Sequence, residues 1–268
     1  IDTITPDGSS SRYISGFSCE KGTVESKDAL KVLHQEKKEL RAQYPNLIEF
    51  ETDLAFKHWY TPAPMPTAGT PMQHTEVKRG LLGRVKRRLI SRGFERSSSA
   101  DAAFRKSVKI GMPRVLNMYS TAPLWRTYFE TLGLRKNNLI WSVESSEEMF
   151  TEGGKYGSVD PCYPSKVVQA HIHDLIFEKH EGRRTGPLNY IFFPGLTHVP
   201  TWVSHVMDSA SCPIVAGTPK VIKAAFTKEV DFFARAGIEY IDTACILTER
   251  HLFNDQMWND WGERLRVT

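Results

Sequence analysis

Ala29, Leu30, Leu33, Leu40 and Tyr44 recur at helical spacing and stop at Pro45, while Glu36, Lys37, Lys38 and Glu39 fill the other face. Ser26 stands where an N-cap belongs, with Asp28 in the first turn. The pattern predicts an amphipathic helix lying in solvent. Residues 1–18, polar and rich in Gly and Ser, read as an extended entry. From Trp59 to Gln73 four prolines deny a helix or a central strand. Beyond them Leu81, Leu82, Val85, Leu89 and Ile90 predict an apolar helical stripe.

After Lys106 short apolar runs alternate with helical patterns. KIGMPRVLNMY, NNLIWSV, LNYIFFPG and SCPIVAG read as strands, and IEYIDTACIL as a weaker fifth. Between them lie predicted helices: one opened by Pro123, one starting at SSEEMF, one following Cys162, and one in TPKVIKAAF. RHLFNDQMWNDWGERL closes the series as a terminal helix. Such alternation predicts an α/β fold, a parallel sheet flanked by helices in a Rossmann- or flavodoxin-like lobe. The expected organisation is an extended segment and amphipathic helix over 1–59, a Pro-rich and basic connector over 60–105, and an α/β domain over 106–268. Ligands of such sheets gather at the carboxyl ends of the strands.

Composition changes this picture little. With 268 residues, 40% hydrophobic and 25% charged, the chain can bury a core without staples. No apolar run approaches the ~20 residues of a membrane span, and no secretory leader is expected. The chain opens at Ile1 rather than Met and is read as a processed chain or a piece cut from something longer. Lys78 to Arg96 carries +7 of the +4 net charge, leaving −3 elsewhere, so no basic surface follows for the folded part. Phe94 is the one aromatic residue in that stretch. Single-strand binders need stacking platforms, so nucleic acid is not expected as a partner.

The candidate chemistry is thiol chemistry. Cys19, Cys162, Cys212 and Cys245 are far apart and form no CxxC pair, which argues for a reducing cytoplasm over a disulfide scaffold. In DPCYPSK, Pro164 falls in the first turn of a predicted helix, which puts Cys162 just ahead of the helix N-terminus. Unpaired N–H groups and the helix dipole there favour a thiolate, the form that ligates metal or attacks. Cys212, in SCP, is also a cysteine before a proline. The plainer alternative is that both are small apolar residues at loop ends. His171 and His173 sit about 200° apart around a helix and cannot face one ion. His171 shares the apolar stripe of Val168 and Leu175 and reads as a satisfied core histidine. His198 follows the third strand. No Walker A, GxGxxG, GxSxG or HExxH motif occurs.

The ordered blocks IGMPRVLNMYSTAPLWRTYFETLG, DPCYPSKVVQAHIHDLI, NYIFFPG and SCPIVAGTPKVIKAAF resemble one family, and SRYISGFSCEKGTVES resembles the segment before it. The family is the large CoA-substrate-specific enzyme activases, linked to 2-hydroxyglutaryl-CoA dehydratase activators. The match is to their domain akin to 2-hydroxyacyl-CoA dehydratase subunits. The resemblance implies an iron–sulfur cluster of the 4Fe-4S kind, with Cys162 and Cys212 as metal ligands and a role in electron transfer. It implies Ser165 and Lys166 as cofactor-binding donors, to cluster sulfides or to an acyl-CoA phosphate, and neighbouring ATPase domains as partners. A third family cysteine has no counterpart up to Thr268, and Gly195 stands where some relatives carry a cysteine. Cys19 matches the front motif, and Cys245 lies in a strand-like, buried context. A second function remains beside this one: a non-catalytic scaffold that docks ATPase domains, its cysteines structural.

Overall fold

The structure, a computed structural model, describes residues 2–4, 10–12, 26–65, 71–79, 85–93, 98–156, 162–206 and 209–267. Two compact units divide the chain, Ile1–Leu54 and Ala55–Thr268. In the first, β1 (Asp2–Ile4) pairs antiparallel with β2 (Ser10–Arg12). Helix α1 (Lys27–Gln43) starts at Ser26, whose hydroxyl accepts from Ala29 N–H at 3.1 Å, as the sequence predicts. It buries no residue. Helix α2 (Leu47–Phe56) runs into the second unit.

The stretch expected to carry a helical stripe instead forms strands β3 (Pro71–Arg79) and β4 (Val85–Gly93), paired antiparallel with Arg79 opposite Val85. Val85, Leu89 and Ile90 thus lie on a strand, where the β-branched Val and Ile are at home. Leu81 and Leu82 fall outside the described residues. Helix α3 (Ser99–Arg105) follows, opened by a reciprocal Ser98–Asp101 capping box.

The core is a parallel α/β sheet. Strands β5 (Ile110–Met112), β6 (Leu139–Trp141), β7 (Tyr190–Phe192) and β9 (Glu239–Ile241) lie in the order β6-β5-β7-β9. β8 (Gly195–His198) and β10 (Ala244–Ile246) pair in parallel beyond them. Phe193 N–H donates to the Ile241 carbonyl at 2.9 Å and Gly195 N–H to that of Thr243 at 2.8 Å, so the β7–β9 ladder runs on into β8–β10.

Helices cover both faces. On one, α4 (Met118–Thr131) and α9 (Arg250–Trp261) meet through Phe129 and Trp261 and close over Phe192 of β7. On the other lie α5 (Glu147–Gly153), α6 (Tyr163–His173), its π-helical continuation Asp174–His180, α7 (Pro213–Thr227) and α8 (Phe232–Ala236). Tyr156 stacks on Phe226 of α7 and lies beside His173 of α6, which joins the later turns of these two helices.

Two local expectations are corrected. SCPIVAG is the start of α7, not a strand, because Pro213 takes the first helical position and a short apolar run alone does not separate strand from buried helix. Pro123 lies inside α4 rather than opening it; the helix begins at Met118.

Candidate functional site

The strand order reverses between β5 and β7, since α4 carries the chain from β5 outward to β6 and the next crossover returns past β5 to β7. In such sheets the crevice for a ligand lies at the carboxyl ends on either side of that point. Arg114 follows β5 there, Ser142 follows β6, and the β7–β8 strand passes through Gly195 to His198. Asn117, at the head of α4, donates through Nδ2 to Ser211 Oγ at 3.3 Å. That bond ties the approach to Cys212 to the β5 side of the crevice.

Cys162 is the N-cap of α6 and Cys212 the N-cap of α7. Neither side chain caps its helix, and prolines open both helices, at Pro164 and Pro213. Cys162 is half-buried and Cys212 exposed. The two helices pack side by side on one face. Both run into the sheet from its carboxyl edge. His171 bonds Ser142 at that edge, while Leu175, one turn on, lies against Gly111 in mid-sheet. Cys162, nine residues before His171, therefore stands about 13 Å beyond that level along α6. The Ala216 carbonyl of α7 lies against Gly195, and Cys212 is one turn further out, about 6 Å.

Ser165 and Lys166, the pair expected to bind a cofactor, sit in the first turn of α6. Ser165 is buried, and its hydroxyl donates to the Cys162 carbonyl at 3.0 Å, so its one proton is taken locally. Lys166 presents an exposed side chain, while its N–H bonds the Cys162 carbonyl at 3.2 Å. Cys245 is fully buried in β10. Its thiol faces the Thr243 carbonyl at 3.7 Å, and burial, with the Asp260 carboxylate nearby, pushes it up to about 12. It stays a neutral thiol and is no ready ligand. Gly195 leaves no room for a cysteine, because a Cβ there would lie 2.6 Å from the Ala216 carbonyl oxygen. Cys19 lies outside the described residues. Among the described residues no group of three or more His, Cys, Asp or Glu converges as metal ligands would.

A polar network at the foot of α6 was missed from the sequence. His171 is fully buried, with Nδ1 2.7 Å from Ser142 Oγ and Nε2 2.9 Å from Ser145 Oγ. Burial, and then the charge of Arg114, lower its pKa to about 4, so it is neutral at physiological pH. Arg114 N–H donates to Ser142 Oγ at 2.8 Å, and Asp174 accepts from Val143 N–H at 3.0 Å. The helical stripe showed that His171 is buried; nothing in the spacing showed that loop serines 29 and 26 residues away would satisfy it. His198, half-buried, places Nδ1 3.2 Å from Thr197 Oγ1.

Sheet order, two helical layers and a crevice flanked by helix N-termini define a doubly wound α/β domain. The chain belongs to the family described as CoA enzyme activase uncharacterised domain, whose model matches residues 109–265. No curated protein and no solved structure matches it. Among the described residues no helix is long and apolar enough to cross a membrane.

Proposed function

We propose that this domain contributes Cys162 and Cys212 to an iron–sulfur site serving electron transfer in a 2-hydroxyacyl-CoA dehydratase-type reductase system of the cytoplasm. The carrying observation is that both cysteines stand at the N-cap positions of neighbouring helices that open in the same direction beside the crevice. Orphan N–H groups at such ends favour anionic ligands. Two thiolates fall short of the cysteine-rich ligation that clusters take, so this ligand set is incomplete by itself. The remaining ligands would come from outside the described residues, and we derive no reaction step through a cluster. The proposed partners are ATPase domains. Lys166, exposed one turn into α6, would meet an acyl-CoA phosphate as a point charge.

The test is iron and sulfide analysis after anaerobic purification and reconstitution, with absorbance and paramagnetic resonance spectra. Bound iron and sulfide should fall to background in Cys162→Ser and in Cys212→Ser. A second reading, a scaffold that docks ATPase domains, is favoured by the lack of a three-ligand group among the described residues. Wild-type protein without iron or sulfide, yet binding an ATPase domain, would establish that reading instead.

A further inference from the structure

The outer edge of the sheet is a slot between two helical layers. β9 is the last strand in the order β6-β5-β7-β9. Glu239 N–H donates to the Asn189 carbonyl at 3.1 Å, and the Ile241 and Thr243 carbonyls accept from Phe193 and Gly195 at 2.9 and 2.8 Å. Alternate residues of a strand turn their backbone groups to opposite edges. Tyr240 and Asp242 therefore aim N–H and C=O away from β7, and no backbone partner for them is found among the described residues.

A cleft of about 480 Å³ follows this edge. Lys220 and Lys223 of α7 and Phe233 of α8 line one wall, and Asp260 of α9 and Arg264, just past its end, line the other. The helices thus overhang the edge strand from both faces.

The side chains already present define what fits between them. Tyr240 stacks on Phe233 at 4.5 Å, and Asp242 meets Lys220 at 2.9 Å and Lys223 at 3.3 Å, so both point toward α7 and α8. Glu239 faces the other way and pairs with Arg264. A strand laid beside β9 follows the same alternation. Its residue next to Tyr240 meets Phe233. Its residue next to Asp242 meets two lysines that share one carboxylate. The residue between them meets Asp260 and Arg264, which are already engaged with Thr243 and Glu239.

We propose that this edge takes an extended peptide from a partner polypeptide as an added strand. The peptide carries an apolar and an acidic residue two positions apart, both facing α7 and α8. A second copy does not fit this way, because its own β9 is recessed between the same overhanging helices. The inference does not rest on the iron–sulfur reading.

The test uses peptides labelled at the N-terminus, fluorescein-Gly-Gly-Thr-Val-Thr-Glu-Thr-amide and its reverse, fluorescein-Gly-Gly-Thr-Glu-Thr-Val-Thr-amide, with controls in which Lys replaces Glu. Binding is read by fluorescence anisotropy and amide hydrogen exchange. One of the Glu peptides should bind and slow exchange at Tyr240 and Asp242, leaving Glu239 and Ile241 unchanged. The matching Lys peptide should bind about tenfold more weakly, the scale of two partly exposed ion pairs. Lys220→Glu/Lys223→Glu should reverse that preference; should this variant not fold, the Glu-to-Lys swap on the wild-type chain decides alone. Three outcomes overturn the proposal: no binding by either Glu peptide, binding without protection at Tyr240 and Asp242, or protection that grows with protein concentration alone together with a dimer by light scattering.

Discussion

His171 is held by a hydroxyl on each side of its ring, Ser142 at 2.7 Å and Ser145 at 2.9 Å. Ser142 Oγ also accepts from Arg114 N–H. That leaves the Ser142 proton for His171 Nδ1, and the His171 Nε2 proton for Ser145. The neutral ring joins the ends of β5 and β6 to α6, which carries Cys162 at its head.

This neutral state predicts a pH dependence. The native pKa is about 4, below the ordinary 6.5. Between those values the unfolded chain takes up a proton that the native state does not, so stability is fully present above pH 6.5 and lost as pH falls toward 4. The loss is on the order of 3 kcal/mol, from ~1.4 kcal/mol per pH unit. Burial raises the Asp174 carboxyl, which acts in the opposite sense at lower pH, where its protonated form favours the native state. Urea unfolding from pH 4 to 7 should show the slope, and His171→Asn should flatten it. An unchanged slope in that variant would assign the dependence elsewhere.

Much of this architecture is legible in the sequence. Pro164 marks a helix opening, and Ser26 marks the start of α1 through its own side chain; Pro213 opens α7 but sits in an apolar run that reads equally as a strand. The apolar runs at Ile110, Leu139 and Tyr190 are strands because their short, fully apolar character suits a sheet covered on both faces. What could not be read depends on distance in sequence. The Asn117–Ser211 bond and the Ser142–His171–Ser145 network join residues brought together only by strand order. The β3–β4 pair was misread for another reason: its apolar residues match both a helical and a strand template, and only pairing decides.

The three described cysteines should separate by stability. Cys162 and Cys212 are not buried, so Cys162→Ser and Cys212→Ser should each change stability by no more than about 0.5 kcal/mol and keep one cooperative thermal transition. Cys245 is fully buried, and a serine there would desolvate a hydroxyl, costing about 1–3 kcal/mol. A large loss in either of the first two would make them structural and count against the ligand role.

Gly195→Cys tests whether position 195 can accept a thiol. The new Cβ would meet the Ala216 backbone oxygen at 2.6 Å, and backbone cannot rotate away as a side chain does. Overpacking of this kind costs about 1–3 kcal/mol. The melting temperature should fall, and amides at the start of α7 should exchange faster. A variant as stable as the parent would show that α7 shifts freely.

Phe56 is expected to be the most costly of these sites to truncate. Its ring lies edge-on to Trp141 at 4.8 Å and to Tyr119 at 5.1 Å, with the Arg114 guanidinium 4.6 Å from its centre. Its carbonyl accepts from Arg126 Nη2 at 2.6 Å, and two residues on, His58 Nε2 meets the Glu130 carboxylate at 2.9 Å. Ring and polar contacts together fasten the segment after α2 to α4. Phe56→Ala removes the ring and leaves a cavity walled by Tyr119 and Trp141, a change that costs about 3–5 kcal/mol. Phe56→Leu keeps most of the volume and should lose less than half of that. His58→Ala leaves the buried Glu130 without its ring partner and should cost about 1–3 kcal/mol. Chemical denaturation of the three variants measures these values. If Phe56→Ala proved no worse than His58→Ala, the polar contacts rather than the ring would be what holds this segment down.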